Sequence, residues 1–185
     1  YRYVEEELLY LLADAGAQAL VYGAEFAPQV ASIRDRLPNL RVLIQVADGS
    51  GNPLLPGAVD YESIVATPPP AGGMPTPTGD DRYILYTGGT TGMPKGVLWR
   101  QHDIFIGAMG GRPFGQPNAF ESLEAIVEAS ANGGAAMMSA APLMHGAAQW
   151  ATFTGFTSGD TVVFPEHVTR LDPVDIWSTV ERPRV

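Results

Sequence analysis

Apolar residues recur along the chain at two spacings, and the switching between them predicts helices and strands in alternation. Glu5, Glu6 and Glu7 precede Leu8, Leu9, Leu11 and Leu12. An acidic first turn on an apolar stripe suits the helix dipole and predicts a helix over 4–15, with Gly16 as its stop. The run Ala19-Leu20-Val21-Tyr22, ended by Gly23, predicts a buried strand. Phe26, Val30, Ile33 and Leu37 then recur at helical spacing as far as Pro38, and 41–46 predicts a second strand. Strand, helix, strand at these lengths is a βαβ unit, which implies parallel pairing and a right-handed crossover.

The pattern weakens over 48–81, where Gly and Pro accumulate and end in Pro68-Pro69-Pro70 and Pro75-Thr76-Pro77. This stretch predicts a loop or mobile connection, with a short helical turn at 61–65. Apolar runs return at 83–86 and 97–99 as two strands flanking a glycine-rich loop. Beyond them the pattern predicts a helix over 103–110, a loop over 112–118 and an exposed helix over 122–131. A buried strand at 135–139, a helix over 147–156, a turn at 157–160 and a strand at 161–164 follow. Asp172 and Pro173 read as the cap and first residue of a last helix. The expected class is α/β, a layered αβα arrangement around a mostly parallel sheet. It divides into a βαβ-type unit over 1–47, a Pro/Gly-rich connection over 48–80 and a final segment over 81–185.

Composition narrows the function classes. The chain has 185 residues with 45% hydrophobic and 17% charged, a globular balance. Its net charge of −9 disfavours non-specific attraction to nucleic acid or anionic membrane, so any anion site must be local. There is no cysteine, which excludes disulfides and thiolate metal sites and is compatible with a reducing compartment. No uninterrupted apolar run reaches membrane-spanning length; the nearest, 131–150, is broken by Gly133, Gly134, Pro142, His145 and Gly146. The chain opens on Tyr1 without an initiator Met or a signal pattern and stops at Arg182-Pro183-Arg184-Val185 without a cap. It reads as a piece of a longer protein.

The stretch Tyr86-Thr87-Gly88-Gly89-Thr90-Thr91-Gly92-Met93-Pro94-Lys95-Gly96-Val97 concentrates the chemistry. Glycine lets backbone N–H groups approach an anion, threonine adds hydroxyl donors and lysine adds a positive charge, a set that suits phosphate. A Walker A loop is excluded, because Lys95 follows Pro94 and precedes Gly96. A dinucleotide fingerprint is excluded too, because Gly88 and Gly89 are adjacent and a strand-like run follows. A serine hydrolase would need Gly-x-Ser-x-Gly, and 155–159 has the wrong spacing. His102, His145 and His167 lack paired zinc-ligand spacing.

The stretch resembles the signature loop of the acyl-adenylate-forming superfamily, Tyr-Thr-Ser-Gly-Thr-Thr-Gly-x-Pro-Lys-Gly-Val, with Gly88 standing where Ser is usual. Pro142-Leu143-Met144-His145-Gly146, with Trp150 beyond it, resembles the family's next motif, beside the site of the acyl carboxylate. The likeness extends over nearly the whole chain, to part of the family's large N-terminal domain, and leans toward bacterial fatty-acyl-CoA ligases.

The resemblance implies a cytoplasmic ligase that uses ATP, Mg2+ and coenzyme A to activate a carboxylic acid, with no nucleic-acid partner. It assigns Thr87, Gly88, Gly89, Thr90, Thr91, Gly92 and Lys95 to the ATP phosphates, Lys95 and His145 to catalysis, and His145, Gly146 and Trp150 to the acyl site. Thr91 is the implied Mg2+ contact. The family's downstream Tyr-Gly-x-Thr-Glu segment, ribose-binding Asp and late lysine of a small C-terminal domain do not occur in these residues, which implies that the chain alone does not complete the reaction. Alternatives are a non-catalytic nucleotide-binding or structural fragment, and a peptide-synthetase adenylation domain.

Overall fold

The computed structural model describes residues 3–88, 92–167 and 170–182. The chain folds into two units. One holds residues 1–76 and 86–97, the other 77–85 and 98–185.

In the first unit, α1 (Glu5–Asp14) starts where the acidic run predicts. The Glu7 carboxylate reaches back to accept the Val4 N–H at 3.0 Å, satisfying a donor that the helix cannot. The strand β1 (Ala19–Gly23) leads through a 3-10 turn into α2 (Ala27–Ile33), and a second 3-10 turn precedes β2 (Val42–Val46). The two strands pair in parallel from Ala19 opposite Val42 to Gly23 opposite Val46, as expected of a βαβ unit. The helix α2 is buried on two sides. Ala27 and Val30 pack with Tyr22 and Leu43 of the sheet, and Ile33 packs with Leu37 and with Leu12 of α1.

The stretch after β2 is more ordered than its glycines and prolines suggest. Gln45, buried to 4% exposure, accepts from the Tyr22 hydroxyl and the Leu55 N–H and donates to the Pro53 carbonyl. The Arg34 guanidinium donates to the Pro56 carbonyl at 2.6 Å. These bonds satisfy polar groups that burial would otherwise penalise, and they pin 53–56 against the sheet. A third parallel strand, β3 (Val59–Asp60), pairs with β2 with Val59 opposite Ile44. The Asp60 carboxylate then caps α3 (Tyr61–Val65) by accepting from the Ser63 N–H. The first part of 48–81 is thus a loop, one of the two forms expected, tied to the sheet by these bonds, and the helical turn expected at 61–65 is present as α3.

The strand β4 (Arg82–Thr87) pairs with β5 (Lys95–Arg100), and the chain passes from one unit to the other within β4 and returns within β5. In the second unit, α4 (Gln101–Ala108) follows directly, and Ser122 caps α5 (Leu123–Ser130) by accepting from the Ala125 N–H. The strands β6 (Ala136–Met138) and β7 (Thr161–Val163) pair in parallel. Both are at most half-buried, where a fully buried β6 was expected. Between them runs α6 (Gly146–Ser158), whose residues Gly146, Ala148, Thr152 and Gly155 are buried. It reaches Ser158, into the turn expected at 157–160, and Gly159, at φ +75, closes it there with a left-handed cap. The last helix, α7 (Pro173–Val180), starts at the predicted cap, with Asp172 accepting from the N–H groups of Val174 and Asp175. The class is α/β with parallel pairing, spread among the described residues over three small sheets.

Candidate active site

The glycine loop begins at the end of β4. Alternation along that strand sends Tyr83 and Leu85 to one face and Tyr86 to the other. Tyr86 donates a 2.6 Å hydrogen bond from its hydroxyl to the Asp14 carboxylate on α1. The hydrogen bond to that carboxylate, followed by burial and the carboxylate's charge, pushes the Tyr86 hydroxyl up to about 12, because deprotonation would lose the bond and leave a phenolate facing a negative charge.

Thr87 and Gly88 follow, both exposed. A Cβ added at Gly88 would meet nothing within 4 Å among the described residues, and its φ is not in the left-handed region. The backbone therefore does not demand glycine at the position where the family pattern has Ser. Gly92, at φ +131, occupies a conformation that other residues rarely adopt. Gly89, Thr90 and Thr91 lie outside the described residues.

Lys95 is the first residue of β5 and not a loop residue as expected. Its side chain is exposed, and among the described residues no carboxylate pairs with it. An exposed ammonium carried on a strand end three residues after Gly92 has the charge to attract an anion. Among the described residues no cluster of three His or acidic side chains could hold a metal ion.

The other predicted residues belong to the second unit. His145 is the N-cap of α6 and is exposed. Gly146 is buried, because the helix start comes close to β4: a Cβ here would sit 2.5 Å from Leu85 Cδ2 and 3.1 Å from Trp150 Cζ2. Trp150 is half-buried, and its indole Nε1 is enclosed without a hydrogen-bond partner. Tyr83 adds a second tie, donating from its hydroxyl to Gln149 Oε1 at 2.6 Å. Gly146, Trp150 and Leu85 thus come together. Thr87, Gly88, Gly92 and Lys95 form a separate set in the first unit.

Sequence reasoning missed a cavity of about 740 Å³ in the second unit, lined mainly by apolar atoms of Ile106 on α4, Met137 on β6 and Ala151 and Thr154 on α6, with Arg112 and Phe114 from the loop after α4. That volume is within the range of small-molecule sites. Phe114 is fully exposed to solvent. The only sequence signal was a Phe between Pro113 and Gly115, which on its own marks a loop.

The AMP-binding enzyme family model matches residues 1–185. The chain belongs to the AMP-binding enzyme family. It is 56% identical over its whole length to the medium-chain acyl-CoA ligase Mig of Mycobacterium avium, covering 34% of that protein. It is 34% identical, again over its whole length, to a medium/long-chain-fatty-acid–CoA and 3-oxocholest-4-en-26-oate–CoA ligase of Mycolicibacterium smegmatis, covering 33% of it. Among solved structures, the anthranilate CoA ligase AuaEII in complex with anthranoyl-AMP superposes with a TM-score of 0.68 at 22% identity, over 98% of this chain and 32% of that one. This last likeness bears on the fold of the AMP-binding enzymes alone. The chain spans about a third of the length of the curated relatives it matches.

Proposed function

We propose that this chain is the phosphate-loop and acyl-site segment of an ATP-dependent acid–thiol ligase that converts a medium-chain fatty acid to its coenzyme A thioester in the cytoplasm. The observation that carries this reading is the 56% identity, along the whole chain, to a medium-chain acyl-CoA ligase. In the reaction, an oxygen of the acid attacks the α-phosphorus of ATP and the bond to the bridging oxygen breaks, releasing pyrophosphate. The thiolate of coenzyme A then attacks the acyl carbon, and AMP leaves with the electron pair of the C–O bond.

In this reading Thr87, Gly88, Gly89, Thr90, Thr91 and Gly92 offer N–H and hydroxyl donors to the β- and γ-phosphates, and Lys95 offsets the charge that grows on the leaving pyrophosphate. Stabilisation aimed at the departing group lowers the barrier without covalent participation by the protein. Mg2+, with the Thr91 hydroxyl as its contact from this chain, would supply further charge neutralisation. His145, Gly146 and Trp150 border the carboxylate, and the cavity beside Ile106, Met137 and Ala151 takes the hydrocarbon tail. Its lining is mainly apolar, which suits an alkyl chain, and Arg112 is the charged side chain among the residues that line it.

Replacement of the matching segment of the Mycobacterium avium ligase by this chain tests the reading. The expected result is octanoyl-CoA formation from octanoate, ATP and coenzyme A at a kcat/KM within about 10-fold of the parent, a margin of about 1.4 kcal/mol. A folded chimera that binds ATP but forms neither acyl-AMP nor thioester would contradict it.

A further inference from the structure

Asp14 stands at the last position of α1, where the helix dipole presents its negative end and no basic side chain occupies the last turn. A carboxylate is locally disfavoured there, so its partner lies elsewhere. That partner is Tyr86, 72 residues along the chain and directly before Thr87 and Gly88. The 2.6 Å separation is that of a charge-assisted O–H to carboxylate bond. Asp14 is itself held by a fixed helix. Leu12 is buried against Ile33 and Leu37, and Arg36 donates to both carboxylate oxygens of Glu6 on the same helix.

We propose that Asp14 is a positioning residue for the glycine loop, holding the Tyr86 hydroxyl so that the end of β4 delivers Thr87 and Gly88 to the phosphates in one orientation. The inference rests on the phosphate-loop reading and adds to it a residue on α1, distant in sequence. Thr87 and Gly88 are exposed, so the direction in which they leave the sheet is set by how the end of the strand before them is held. Without the Tyr86 bond, the exposed strand end would sample several directions, and ordering them would oppose binding.

The test measures Mg-pyrophosphate binding to the purified chain by calorimetry, with Lys95→Ala as the control for the loop. Tyr86→Phe and Asp14→Ala are each expected to weaken binding about 5-fold, the loss of one hydrogen bond, and the double variant no further. Asp14→Asn keeps an acceptor and is expected to bind like the unaltered chain. Arg36→Ala removes the exposed pair with Glu6 at the start of α1 and keeps the Leu12 packing beside Asp14, so it is expected to leave binding unchanged, which separates the Tyr86–Asp14 bond from surface contacts of α1 in general. In ring-labelled protein the Tyr86 Cζ resonance is expected to titrate near 12, and near the ordinary value of about 10 in Asp14→Ala.

Equal binding by the unaltered chain and Lys95→Ala, or none by either, overturns the loop reading and the inference with it. Weak binding by Lys95→Ala alone, with Asp14→Ala and Tyr86→Phe unaffected, overturns the inference and leaves the loop reading standing. A Tyr86 midpoint near 10 in the unaltered chain also overturns the inference. Should Asp14→Ala fail to fold, Tyr86→Phe removes the same bond from the other side and decides.

Discussion

Tyr83, on the strand that feeds the glycine loop, donates its hydroxyl to Gln149, one turn inside the helix that His145 caps. The bond joins residues 66 positions apart, and Leu85 packs on Gly146 beside it. Strand β4 therefore sets the position of α6 through a polar and an apolar contact on one face. Tyr83→Phe is expected to cost about 1 kcal/mol in chemical denaturation, because the Gln149 carbonyl loses its donor in a partly buried setting. Gln149→Ala is expected to add little to that loss, and a fully additive double variant would show that the two side chains do not interact.

Glycines near α6 differ in what surrounds them. At Gly146 an added Cβ meets the end of the Leu85 side chain, which can rotate away, so Gly146→Ala is expected to cost about 1–3 kcal/mol and to recover partly with Leu85→Val. At Gly159 the added Cβ meets the Ser130 backbone carbonyl, and the φ of +75 is already unfavourable for alanine. Gly159→Ala is expected to be the more destabilising of the two by thermal melting. The reverse order would contradict the packing of α5 on α6.

Gly88 provides a gain rather than a loss. Open space around its Cβ position and an ordinary φ mean that Gly88→Ser is expected to change stability by no more than about 0.5 kcal/mol. A new hydroxyl donor at this position is expected to tighten Mg-pyrophosphate binding. Weaker binding by a normally folded Gly88→Ser would place the phosphates away from this residue.

How far the fold was legible depended on the range of the interaction. The start of α7 could be read from Asp172-Pro173 because a cap and its helix are neighbours in sequence. The helix α1 was equally local, with its acidic turn and leucine stripe in one short stretch. Strand β3 was not legible, since two residues carry no period and only pairing with β2 makes them a strand. The end of α6 was misplaced because Thr157-Ser158-Gly159-Asp160 is a turn by composition, whereas in place Gly159 serves as a cap. Lys95 was assigned to the loop because Pro94 before it and Gly96 after it both break regular structure, yet pairing with β4 draws it into β5. For the candidate site, the glycine loop and His145-Gly146 stand out in sequence because each is a contiguous motif. The cavity was not, because its walls come from α4, β6, α6 and a loop.

The Asp175 carboxylate ties the backbone at Glu166 and His167 to α7 and makes that contact pH-dependent. Asp175 is buried to 8% exposure and accepts from the backbone N–H groups of His167 at 2.7 Å and Glu166 at 3.2 Å. The His167 bond, the largest influence, holds the carboxyl below the usual carboxylate range. A group with a lowered folded pKa stabilises the fold above its unfolded value of about 3.9 and loses that contribution as pH falls through the folded value. Thermal melting between about pH 5 and pH 2 is therefore expected to fall more steeply in the unaltered chain than in Asp175→Asn. Parallel curves would show that Asp175 is not held this way.

The most direct measurement of the central claim is acid-dependent pyrophosphate release by the Mycobacterium avium ligase carrying this chain, with and without Lys95→Ala. Lys95 is exposed at a strand end, so its truncation should leave the melting temperature unchanged. The account predicts a fall in kcat/KM of about 100-fold or more, about 2.7 kcal/mol of lost transition-state stabilisation, as for other preorganised donors to a developing negative charge. Unchanged pyrophosphate release in a folded Lys95→Ala chimera would contradict it.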